Sequence, residues 1–174
     1  LNFFLDYDDE ENARASVGTE IKNAVLQLTS NYYKRIDDGT EFEKVLDGYD
    51  VQLTSQVPYL HWANVFASTY KWYGVERDDV EGRKYGSELF LTPSINLEIA
   101  YDDKRIKSLK DEYYARLFYT YPPKINSSTL LTDGLSSRIW KEEKDMSVEL
   151  LTKVKRNNKI FVEYTGSATV SRLD

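Results

Sequence analysis

Residues 48–58 read GYDVQLTSQVP, and within them Tyr49, Val51, Leu53 and Val57 alternate with Asp50, Gln52, Thr54 and Gln56. Period-two patterning of this kind marks a strand with one apolar and one polar face. Two sorts of closed barrel accept such a strand, and they disagree about which face points inward. A soluble barrel fills its narrow interior with the apolar set. A membrane barrel turns that set toward lipid and lines a hydrated bore with the polar one. The fold class rests on this choice.

Working outward, the alternation recurs along most of the chain. It predicts strands over 2–7, 14–22, 24–33, 48–58, 62–73, 84–92, 95–101 and 112–121. Over 14–22, Ala15, Val17, Thr19 and Ile21 oppose Arg14, Ser16, Glu20 and Lys22; over 95–101, Ile95, Leu97, Ile99 and Tyr101 oppose Asn96 and Glu98. The connections alternate too. Those around Asn23, 59–61 and 93–94 are tight, whereas 34–47, 74–83 and 102–111 are long. Outer-membrane barrels keep short turns on the periplasmic rim and longer loops outside. The long connections carry the charged runs RIDDGTEFEK, VERDDVEGR and DDKRIKSLKD, which read as solvated loops. Apolar rows end in aromatics at Tyr32, Tyr49, Tyr85, Tyr101, Tyr113 and Tyr121, as the girdles at a bilayer's two interfaces do. The pattern therefore favours lipid on the apolar side. A soluble, lipocalin-like eight-stranded ligand-binding barrel and a small structural outer-membrane barrel are the alternatives.

Composition sets bounds. The chain has 174 residues, 41% hydrophobic, enough for one domain. Its mean hydropathy is −0.58. No run approaches the roughly 18–20 apolar residues of a spanning helix. A formal charge of −6, with no basic stripe, argues against nucleic acid. With no cysteine there are neither disulfides nor thiolate chemistry. A start at Leu1 without a leader predicts a processed or excised piece.

After Tyr121 the character changes. Two prolines end the last strand, since neither donates to a ladder. SSTLLTDGLSS reads as a polar linker. Residues 141–156, KEEKDMSVELLTKVKR, space Met146, Leu150 and Val154 four apart with Leu151 beside them, which predicts a short amphipathic helix stopped by Asn157 and Asn158. KIFVEY at 159–164 is extended again. The chain thus divides into strands over 1–123, then linker, helix and exit strand over 124–164, then a tail or the start of a passenger over 165–174.

Three stretches together resemble the translocator domain of intimin and invasin, the inverse autotransporters. They are NFFLDYDDEENARASVGTEI, DGYDVQLTSQVPYLHWANVFASTYKWYG and ELLTKVKRNNKIFVEY. The resemblance implies an all-β, antiparallel up-and-down barrel of twelve strands in the bacterial outer membrane, of which this chain holds the last eight. It implies a C-terminal helix in the lumen and export of an adhesin-type passenger. On that basis Met146, Glu149, Leu150, Lys153, Val154 and Arg156 form the lumen helix, facing wall residues Glu20, Lys22, Gln52, Glu88, Glu98 and Arg116. The implied partners are outer-membrane lipid and lipopolysaccharide, the chain's own passenger, barrel-assembly machinery and periplasmic chaperones, and a host or surface receptor reached through the passenger. The chain departs from the family pattern at Ile21, His61, Asn64 and the turn at Thr92–Pro93.

Chemistry is sparse. The one histidine, His61, sits in an expected tight turn and reads as a polar turn residue, so no catalytic site is expected. No cofactor or metal motif is present; Asp6, Asp8, Asp9, Glu10 and Glu11 lack the spacing of a calcium loop. Lys104, Arg105, Lys107 and Lys110 are candidates for lipopolysaccharide phosphates.

Overall fold

The computed structural model describes residues 1–105, 110–123, 128–141 and 155–164. Strands β1 (Asn2–Tyr7), β2 (Ala13–Lys22) and β3 (Leu26–Asp37) come first. A short β4 (Glu43–Val45) precedes β5 (Asp47–Val57), β6 (Leu60–Tyr73), β7 (Val80–Phe90), β8 (Ile95–Lys104) and β9 (Glu112–Tyr119). One turn of helix, α1 (Leu130–Asp133), and a last strand, β10 (Val162–Tyr164), follow. The sheet order is β1-β2-β3-β5-β6-β7-β8-β9, every neighbour antiparallel, while β4 and β10 form a separate pair. This is the up-and-down order of an outer-membrane barrel. Among the described residues β1 and β9 do not pair, so both sheet edges stay open.

The apolar rows face outward. On β5, Leu53 is 49% exposed while Thr54 and Gln56 are 4% and 8% exposed. Register carries the same facing across the sheet. Ile21, Leu28, Leu53, Ala67, Tyr85, Tyr101 and Tyr113 form one outer row, each opposite the next. Glu20, Thr29, Gln52, Ser68, Lys84, Asp102 and Glu112 form the matching inner row. A soluble lipocalin-like barrel would bury the first row and wet the second. The structure does the reverse.

Strand β6 alternates less cleanly because its inner face is aromatic. Phe66, Tyr70 and Trp72 lie over Gly86, Gly82 and Gly48 of the adjacent strands, and a Cβ on any of these glycines would run into the ring above it. Trp72 and Tyr33 head the buried apolar cluster with Leu46 and Val80, flanked by Tyr70 and Phe161. That cluster sits at the long-loop end of the inner face.

Several expectations are corrected. The stretch 34–47 is not one solvated loop, because it contains β4, whose partner among the described residues is β10, more than a hundred residues away. The turn after β5 is just Pro58 and Tyr59, the latter at φ 63°, so His61 lies inside β6 rather than in the turn. β7 begins at Val80 and absorbs part of a charged run, since Glu81 and Arg83 find cross-strand partners in Lys71 and Thr69. The linker holds α1, closed at its start by a reciprocal cap between Thr129 and Thr132. Most of the helix expected over 141–156 lies outside the described residues; Lys155 and Arg156 at its end are not helical.

Candidate functional site

The described parts of the terminal segment, 128–141 and 155–164, contact the tight-turn rim, the inner face and the long-loop rim. The segment starts at the tight-turn rim, where β9 ends. There Ser136 N donates to Tyr59 O at 2.8 Å and Tyr59 N donates to Ile139 O at 2.9 Å. Trp62 Nε1 donates to Gly134 O at 2.7 Å, and the His61 ring meets Arg138 O at 3.1 Å. Lys141 N donates to Gln56 Oε1 at 2.9 Å, which brings the chain to the inner face of β5.

Residues 155–160 are held on the inner face, toward its long-loop end, mostly by their backbone. Asn31 Nδ2 donates to Lys155 O at 3.1 Å, and Asn157 N donates to Tyr33 Oη at 2.8 Å. Arg14 donates to Asn157 O and Lys159 O, both at 2.8 Å, and to Asp6 at 2.9 Å. Its guanidinium lies 4.4 Å from the Tyr33 ring centre and is fully buried. A buried cation needs such partners, because an uncompensated one costs several kcal/mol; only its Nε lacks a hydrogen bond among the described residues. Arg156 makes 2.8 Å contacts to both Asp6 oxygens and covers the Phe4 ring at 4.1 Å. Lys155 pairs with Glu88.

At the long-loop rim the segment is clasped. Phe161 stacks on Trp72, with ring centres 4.2 Å apart and planes at 22°. Leu46 N donates to Phe161 O at 2.8 Å, and β10 then pairs with β4. The Glu163 carboxylate accepts from Val75 N at 2.9 Å and Glu76 N at 3.1 Å, with Arg77 Nε 3.8 Å away. The loop bearing those amides is itself tied by Asp79, which accepts from Gly74 N at 3.1 Å and meets Lys71 at 2.8 Å. The Lys71 ammonium holds the Asp79 carboxyl below its ordinary pKa.

The family described as "Inverse autotransporter, beta-domain" matches residues 1–158. The chain belongs to that family. A solved chain reported under "Unveiling the Mechanism Behind the in-meso Crystallization of Membrane Proteins" is similar in fold, with TM-score 0.69 and 17% identity over 94% of this chain and 72% of that one. No curated protein matches. As an inverse autotransporter β-domain, the chain is an outer-membrane translocator domain; the family is one of translocators and anchors rather than enzymes.

Within this inverse autotransporter domain, the six expected wall residues share the inner face. Glu20 and Lys22 pair at 3.1 Å, and Arg116 and Glu98 at 3.9 Å. Gln52 donates to Thr54 Oγ1 at 3.1 Å, and Glu88 takes Lys155. Arg156 meets none of the six. Its partner is Asp6, which sequence reading placed with the acidic loop although it stands opposite Arg14 in the β1–β2 ladder. Met146, Glu149, Leu150, Lys153 and Val154 lie outside the described residues. At the outer rim Lys104 is engaged by Glu112 at 2.9 Å and Arg105 by Glu81 at 3.8 Å. Lys110 is exposed, and Lys107 lies outside the described residues. Asp8 accepts from Asn12, and among the described residues no group is placed to hold a metal ion.

Proposed function

We propose that this domain sits in the bacterial outer membrane and carries its C-terminal continuation through its own interior to the cell surface, where it anchors and displays an adhesin-type passenger. One observation carries the reading: residues 134–141 are bound at the tight-turn rim, 155–160 on the polar face and 161–164 at the long-loop rim. Supporting it, the opposite face offers lipid an apolar band, as the outer face of a membrane barrel does.

In this account 1–123 supply the wall, 124–164 the linker and lumen segment, and 165–174 begin the exported part. The partners are outer-membrane lipid, assembly machinery and chaperones on the way in, and a receptor met by the passenger. Lys110, with Lys107, is the proposed contact for lipopolysaccharide phosphate. The test is an epitope placed after Asp174 in the full-length protein. On intact cells the epitope is expected to be bound by antibody and shaved by protease, and the domain to show heat-modifiable mobility in detergent. An epitope protected until the outer membrane is broken would overturn the reading.

A further inference from the structure

The long-loop rim holds the threaded segment in two physically different ways. Arg14 contacts only the carbonyls of residues 157 and 159. An extended chain repeats its facing every two residues, so a two-residue slide would offer Arg14 equivalent acceptors. The β4–β10 ladder is likewise a backbone contact, and three residue pairs do not fix their own register. Glu163 differs. Its side chain is 4% exposed, and its two oxygens are divided between the adjacent amides of Val75 and Glu76. A slide of two residues would bring Phe161 or Thr165 to that place, and neither carries a carboxylate. Both amides would lose the charge-assisted hydrogen bonds that Glu163 gives them at a partly buried site, and exchange a carboxylate for a neutral acceptor. A slide of one residue would turn every side chain to the wrong face.

We propose that Glu163 is the register key of the exported segment: the loop at 74–79 is a carboxylate site that takes an acidic residue from an extended chain lying along β4, and so fixes where the segment comes to rest. Its meaning for export rests on the function proposed above; the contact itself does not. Phe161 on Trp72 and Arg156 on Asp6 then fall into place at the register Glu163 sets.

These 174 residues hold no cysteine, so once any cysteine elsewhere in the full-length protein is replaced by serine an engineered pair reports alone. Leu46 N bonds Phe161 O, which makes Val45 and Val162 the neighbouring non-hydrogen-bonded pair, whose close spacing suits a disulfide. The full-length protein carrying Val45→Cys and Val162→Cys, assembled in cells, is expected to cross-link under mild oxidant. Adding Glu163→Ala is expected to cut the yield about ten-fold and to raise cross-linking of Val45→Cys with Ile160→Cys or Tyr164→Cys. Glu163→Gln keeps the size and one acceptor, assembles if alanine does not, and is expected to fall between. Full yield with both Glu163 variants would overturn the proposal, as would no cross-link in the parent. In the parent, a surface-accessible epitope without the cross-link would reject the register key alone. The Glu163-dependent cross-link with a protected epitope would support the key while rejecting export.

Discussion

Arg14 shows how one residue can serve both wall and cargo. Its guanidinium is neutralised by Asp6, packed on Tyr33 and bonded to two carbonyls of the threaded segment. Lysine would keep the charge but lose the planar fork that reaches three acceptors at once. Arg14→Lys is therefore expected to lose about 2 kcal/mol, read as a lower temperature for the loss of heat-modifiable mobility. Gly48 works by having no side chain. A Cβ there would strike the Trp72 ring and the Lys71 carbonyl, so Gly48→Ala is expected to destabilise the folded barrel by more than about 2 kcal/mol, seen as poor assembly. At Asp79 the folded pKa is depressed by Lys71. Its contribution is present above the ordinary carboxylate value near 4 and fades as pH falls through the lower folded value. Protease protection of the 74–79 loop is expected to show that fall, and Asp79→Asn to lack the acid transition.

At the scale of elements, β5 sets wall polarity by alternation alone. Leu53→Arg would place a cation among lipid tails at a cost of about 2–4 kcal/mol near the bilayer centre, whereas Gln52→Arg adds one to a polar wall. The first is expected to block assembly and the second to permit it, measured by heat-modifiable barrel in isolated outer membranes. The eight long strands were legible because each repeats its facing often enough to be counted. β4 was not. Three residues give no period, and EFEK looks like any charged loop until a distant strand lies beside it. Strand ends were misread for a related reason: charged residues at 80–83 and 102–104 pair across strands, which composition does not show. The inward aromatics of β6 hid its period, because rings on the polar face are explained only by the glycines and the Phe161 ring they meet.

For the molecule as a whole, the two rims and the inner path form one arrangement. Short turns gather where the chain enters and long loops where it leaves, so the polarity of the connections foretells the direction of the segment. The alternation of short and long connections was legible in the sequence. Which side chains grip the segment was not legible: Asp6 and Arg14 stand opposite each other only once β1 and β2 are in register, and Lys155, which is not helical, pairs with Glu88 of the distant β7. The central claim is that the Leu, Ile and Val rows meet lipid while the polar rows surround the threaded chain. Single cysteines at residues 50–55, labelled with a fluorophore in the assembled protein and quenched by nitroxide-bearing lipid, test it directly. Quenching at 51, 53 and 55 but not at 50, 52 and 54 is the predicted result. The opposite phase, with quenching at the even positions, would contradict it.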